Sequence, residues 1–167
     1  MGSGKTSIGK NLSKLLNIKF YDLDEIIINF YKLNINNFFL IYGKFYFRII
    51  ENIILKFFLI NNYYKSYILS IGGGTSCFFN NMIIMNKLSN TIYLKIKNIV
   101  LYKRLLINNN YNRPLLKKLK KLELLKFIIY QNKIRNNFYK NSKIIINIKY
   151  LNLKKTIIKL LNNLNKF

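Results

Sequence analysis

Met1-Gly2-Ser3-Gly4-Lys5-Thr6-Ser7-Ile8-Gly9 opens the chain. Its middle, Gly2-Ser3-Gly4-Lys5-Thr6, is the second half of a phosphate-binding loop, G-x-x-x-x-G-K-[ST]. The residue types follow from the task of holding a polyphosphate. Glycines let backbone N–H groups crowd the anion with no Cβ in the way. Lys5 would reach the β- and γ-phosphates, and the Thr6 hydroxyl would ligate Mg²⁺. Ser7 to Leu16 reads as a helix whose N-terminus turns its dipole towards the anion. The first glycine of the motif and the strand that feeds such a loop would both precede Met1, so the product is expected to start upstream. The plainer reading of these residues is a Gly-rich turn before a helix.

The next stretch outward is Ile18-Lys19-Phe20-Tyr21, an apolar run ending in Asp22-Leu23-Asp24-Glu25. A strand that delivers carboxylates at its C-terminal end suits an α/β sheet, where ligands bind beyond the carboxyl ends of the strands. The chain holds five acids in all, and three of them sit here. Asp24 also precedes an apolar segment, which allows the simpler role of a helix cap.

Helices are expected over 25–32 and 34–42, with Gly43 breaking the second from a longer helix over about 47–60. Arg48 and Glu51, three apart on that helix, share a face; taken alone they read as a solvated ion pair. Tyr67 to Ile71 has the composition of a buried parallel strand. It runs into Gly72-Gly73-Gly74-Thr75, where three successive glycines mark a backbone that something approaches closely. A helix over 82–88, a strand over 91–95 and a helix over 98–107 carrying Arg104 follow. Then come an Asn-rich loop, Arg113-Pro114-Leu115-Leu116 and a basic helix over 117–132, together read as a cationic flap. Arg135 to Tyr139 precedes a strand over 143–148, and an amphipathic helix over 153–164 ends the series. Strands alternating with helices give an α/β fold with a parallel sheet.

Composition narrows the chemistry. The 167 residues suit one domain. There is no histidine, which removes histidine triads, histidine metal sites and histidine acid–base catalysis; proton transfer falls to a carboxylate, lysine or tyrosine. Cys77 is the single cysteine, so no internal disulfide forms, and a reducing, cytoplasmic setting is the simple reading. The net charge of +24 invites a polyanion. Yet the chain lacks alanine, has one valine and is crowded with Ile, Asn, Lys, Phe and Tyr, whose codons are rich in A and T. Biased nucleotide content accounts for the lysines, and no nucleic-acid partner is expected. No apolar run is long enough for a membrane span.

Taken in order, the motifs resemble those of shikimate kinases. That family typically opens G-x-M-G-S-G-K-[ST], which this chain enters at the Met. Asp22-Leu23-Asp24, Phe47-Arg48-Ile49-Ile50-Glu51, Gly72-Gly73-Gly74, Arg113-Pro114-Leu115-Leu116 and Arg135-Asn136-Asn137-Phe138-Tyr139 match further family motifs, the last with Phe for Leu. The resemblance covers nearly the whole chain. It implies a P-loop parallel sheet of order 2-3-1-4-5, flanked by helices, with strand 1 missing from this chain and a lid at about 108–122. It also implies transfer of the ATP γ-phosphate to the 3-hydroxyl of shikimate, on the route to chorismate and the aromatic amino acids.

The implied roles attach residue by residue. Gly2, Ser3, Gly4, Lys5, Thr6 and Ser7 would hold ATP. Thr6 would bind Mg²⁺ directly and Asp22 through water. Asp24 would bind the substrate hydroxyls and act as general base. Arg48 and Arg135 would grip the shikimate carboxylate, with Glu51 orienting Arg48. Gly72, Gly73 and Gly74 would let the substrate ring approach the backbone. Arg113 on the lid would close over the phosphates, and Arg104 resembles an arginine that stacks on adenine. A monomer is expected. Three of these arginines stand at motif positions in a chain where lysine dominates. Arginine and lysine are not exchangeable where an anion is held bidentately. Other readings stay open: a different P-loop kinase such as a gluconate kinase, a basic nucleic-acid-binding module, or a folded remnant without activity.

Overall fold

The computed structural model describes residues 2–107, 120–148 and 153–164. They cluster into two compact units, residues 5–91 and residues 1–4 with 92–167.

In the first unit, α1 (Lys5–Leu16) leads through a tight turn into β1 (Lys19–Asp22), followed by α2 (Leu23–Tyr31), α3 (Ile35–Asn61), β2 (Tyr67–Ser70), a 3-10 turn (Thr75–Cys77) and α4 (Asn81–Leu88). Asn17 ends α1 in the left-handed region at φ 51°. That conformation lets the Ile18 N–H donate to the Ser13 carbonyl at 3.0 Å, the six-to-one bond of a Schellman ending. β1 and β2 pair in parallel, Lys19 opposite Tyr67 through Asp22 opposite Ser70. α1 lies close on this sheet because Gly9 faces it: a Cβ there would stand 2.5 Å from a ring carbon of Phe20. Leu23 and Ile27 of α2, Phe38, Phe47, Leu55 and Leu59 of α3, and Met82 and Met85 of α4 form the core.

Gly43 breaks α3 as its sequence suggests, at φ 79° and ψ 166°. Those angles belong to a region open essentially to glycine. A Cβ at Gly43 would meet nothing within 4 Å, so the constraint is conformational and not steric. Gly43→Ala is therefore expected to cost about 1–3 kcal/mol in urea unfolding; an unchanged midpoint would show that the kink relaxes freely.

In the second unit, β3 (Ile92–Ile96) and β4 (Ile144–Ile148) pair in parallel, Ile92 opposite Ile144 through Ile96 opposite Ile148. The sequence order of the unit is β3, α5 (Asn98–Ile107), α6 (Lys121–Tyr139), β4 and α7 (Leu153–Leu164). β4 alternates strictly, with Ile144, Ile146 and Ile148 buried. α7 buries Thr156, Ile157 and Leu160. Asn132 donates to Asn98 Oδ1 at 2.6 Å, joining α6 to α5.

The expected order with strand 1 absent leaves two pairs, 2-3 and 4-5, and these are the β1–β2 and β3–β4 pairs. Among the described residues, each strand has one partner. α2 begins at Leu23, two residues before expectation, because Asp22 and not Asp24 caps it. α6 does not stop near Asn132 but runs to Tyr139, so Arg135 stands on a helix. No glycine or proline interrupts 121–139, and the Asn-rich end of that stretch is carried by the helix already started. The Glu123 carboxylate accepts from the Lys120 N–H at 2.8 Å and closes the first turn. Most of the expected lid, including Arg113, lies outside the described residues. No described helix is long and apolar enough to cross a membrane.

Candidate active site

Lys5 is the first residue of α1, and the Gly4 that precedes it has φ 80°. The helix thus begins where the loop's backbone requires a glycine. Thr6, in the first turn, donates its hydroxyl to Asp22 Oδ2 at 3.4 Å. Asp22 ends β1 and caps α2, its Oδ1 accepting from the Asp24 N–H at 3.1 Å. The cap falls to Asp22, and Asp24 sits inside the first turn of α2. Thr6 and Asp22 together offer hard oxygens of the kind Mg²⁺ takes. That ion is usually bound by one or two carboxylates with phosphate oxygens and waters, not by a protein cage. No cluster of three His, Cys, Asp or Glu side chains stands among the described residues.

Asp24 is held in an unusual state. Burial, then the neighbouring Asp22 and Glu51 carboxylates, push its pKa up to about 6, against the pull of Lys5 and Arg48. A carboxyl titrating near neutrality can take a proton from a hydroxyl with less driving force wasted than an ordinary aspartate.

The Arg48–Glu51 pair is not the solvated pair its spacing allows. Glu51 is fully buried, and its Oε2 accepts from Arg48. Its Oε1 accepts from the Thr75 hydroxyl at 2.6 Å. The Arg48 guanidinium also lies over the rings of Phe47 and Phe78, 5.3 and 5.0 Å from their centroids. The glycines matter here through space. A Cβ on Gly74 would stand 2.7 Å from Arg48 Nη2, and one on Gly72 would be 3.2 Å from Glu51 Oε1 and 3.7 Å from Asp24 Oδ1. An arginine fork, a buried carboxylate that aims it, a poised aspartate and a bare backbone turn therefore meet in one place. Such a site can hold a carboxylate ligand and deprotonate a hydroxyl beside it.

Lys5, Thr6, Asp22, Asp24, Arg48, Glu51 and Gly72 to Gly74 all belong to the unit of residues 5–91, as does Ser7, exposed on α1. Gly2, Ser3, Gly4, Arg104 and Arg135 belong to the other. There, Arg104 is buried on α5 and donates from Nη1 to the Gly2 carbonyl at 3.0 Å. Burial lowers its pKa, and its Nε and Nη2 have no acceptor among the described residues. Arg104 thus braces the loop as well as offering donors near it. Arg135 is half-buried on α6. Three buried polar residues, Thr75, Asn81 and Asn52, had no distinguishing sequence signal; asparagine is too frequent in this chain for any one to stand out.

The same arrangement of elements recurs in known proteins. A shikimate kinase of Bacteroides thetaiotaomicron superposes with a TM-score of 0.86 at 30% identity, covering 99% of this chain and 94% of that one. The Acinetobacter baumannii shikimate kinase, solved with shikimate, gives 0.81 at 24% identity over 99% of this chain and 89% of its own, a likeness of fold. The shikimate kinase of Azobacteroides pseudotrichonymphae genomovar. CFP2 is 44% identical over 106 residues, 64% of this chain. That match spans 61% of the relative's length. The family model described as "Shikimate kinase" matches residues 1–165. With its glycine loop, paired aspartates and buried Arg48–Glu51 pair, the chain belongs to the shikimate kinase family.

Proposed function

We propose that this chain is a shikimate kinase, transferring the γ-phosphate of ATP to the 3-hydroxyl of shikimate to give 3-phosphoshikimate and ADP. The observation that carries this reading is the Arg48 fork, aimed by buried Glu51 and seated against Gly74, with Asp24 beside it. It matches a substrate that bears both a carboxylate and hydroxyls. Lys5 and the loop amides of Gly2, Ser3, Gly4, Thr6 and Ser7 hold the phosphates. Asp24 orients the 3-hydroxyl and accepts its proton. Arg48 and Arg135 grip the carboxylate, and Gly72 to Gly74 leave room for the ring. Arg104 stacks on the adenine, as the resemblance implies; Arg113, on a lid at about 108–122, stabilises the charge in transfer. Thr6, and Asp22 through water, would hold Mg²⁺, which would supply positive charge beside the phosphates. The same reading takes the chain as a single kinase domain that acts as a monomer in the cytoplasm.

Gly74→Ala tests the substrate side. Its methyl must displace Arg48, so KM for shikimate is expected to rise about tenfold, with KM for ATP unchanged. Equal changes in both constants would separate Arg48 from shikimate binding.

A further inference from the structure

Four hydrogen bonds join Arg48 to residues that the proposed reaction does not touch. Arg48 donates to Glu51 Oε2, and Thr75 Oγ1 donates to Glu51 Oε1 at 2.6 Å. Asn81 Nδ2 donates to the Thr75 carbonyl at 2.8 Å, and Asn52 Nδ2 donates to Asn81 Oδ1. Asn52 follows Glu51 on α3, so the bonds close a circuit: α3 to the start of α4, to the 3-10 turn, and back to α3. Glu51, Thr75 and Asn81 are fully buried, and Asn52 is 8% exposed.

We infer that Thr75 is a positioning residue, whose hydroxyl fixes the Glu51 carboxylate and through it the direction in which Arg48 presents its fork. The inference deepens the kinase reading and rests on it for the identity of the ligand. The geometry is specific. Glu51 has two oxygens and two partners, one each. With Oε1 accepting from Thr75, the carboxylate is turned so that Oε2 meets Arg48. Without that hydroxyl the carboxylate can turn about its last torsion and take Arg48 in another arrangement. The guanidinium also lies over the rings of Phe47 and Phe78, which carry no hydrogen-bond acceptor of the kind Glu51 offers. Asn81 keeps Thr75 in place from the other side: it holds the Thr75 carbonyl, while the Thr75 N–H donates to the Gly72 carbonyl at 3.2 Å. The glycine turn and the arginine are thereby set by one buried circuit.

Thr75→Val removes the hydroxyl at nearly constant shape. The expected result is a rise of about tenfold in KM for shikimate, with kcat and KM for ATP within about twofold, and recovery in Thr75→Ser, which restores the hydroxyl. A purely structural role would lower stability and leave this split absent. The second readout needs no turnover. The chain has four arginines, so the Arg48 side-chain nitrogen signals can be assigned by their loss in Arg48→Lys. Restricted rotation of the Arg48 guanidinium in the parent and Thr75→Ser, and free rotation in Thr75→Val, supports the inference. Unchanged Arg48 signals in Thr75→Val overturn it, as does an unchanged KM for shikimate. If the parent turns over no shikimate, the kinase reading falls, and the Arg48 signals alone decide the positioning. Should Thr75→Val not fold, Asn52→Ala cuts the circuit at its outermost link. It is expected to move both readouts in the same direction by less; no movement in either overturns the inference.

Discussion

Asp24→Asn is expected to lower kcat by about 10²–10⁴-fold while making the folded chain more stable at neutral pH. The loss follows from the role proposed for Asp24, acceptor of the hydroxyl proton. The gain follows from what the carboxylate costs the fold. Burial, Asp22 and Glu51 raise the Asp24 pKa from 3.8 to about 6, with Lys5 and Arg48 opposing. The folded chain therefore binds this proton more tightly than the unfolded chain. Below pH 3.8 both states are protonated and Asp24 costs nothing. Between pH 3.8 and about 6 its contribution falls as pH rises, and above that the full penalty stands. Some exposure of the side chain discounts the penalty to about 2 kcal/mol. Urea unfolding without added divalent metal checks both halves. Asp24→Asn should match the parent near pH 4 and exceed it at pH 7.5. Lower stability at pH 7.5, or an unchanged pH slope, would contradict the burial of a charged Asp24.

Glu51→Ala should have the largest effect on stability, a loss of about 3 kcal/mol. Glu51 has no exposed surface, and its two oxygens serve Arg48 and Thr75. Removing it leaves a guanidinium without its counter-ion and a buried hydroxyl without its acceptor, and opens space beside Gly72. Glu51→Gln keeps the shape and one acceptor, and should lose less. Unfolding midpoints of the two variants provide the comparison. A loss under about 1 kcal/mol for Glu51→Ala would place the pair among exposed ion pairs, which contribute little.

How much of this was legible before the structure depends on the residue. The glycine loop and the break at Gly43 follow from residue types with few conformational options, whereas the β1–β2 and β3–β4 pairs follow from the sheet order that the resemblance to shikimate kinases implies. The Arg48–Glu51 pair was visible as a spacing, but its burial was not. Three residues apart on a helix fixes a shared face and says nothing about what covers that face. The sequence offered Asp24 as a cap of α2, and the backbone places the cap at Asp22. The extension of α6 through Arg135 was hidden because asparagine-rich sequence reads as loop, although a formed helix propagates through it. Thr75, Asn81 and Asn52 were illegible for a different reason. A circuit of hydrogen bonds among three elements has no period and no motif, and appears only when α3, the 3-10 turn and α4 come together.

The most direct measurement is ADP formation from MgATP by this chain with shikimate, with gluconate and with neither. Phosphorus NMR of the product would run alongside, with Lys5→Ala as control. The expected result is ADP formation that requires shikimate, a phosphate on its 3-hydroxyl, and loss of both in Lys5→Ala. ADP formation indifferent to shikimate, or answering to gluconate in its place, would contradict the assignment of Arg48, Glu51 and Asp24 to a shikimate site.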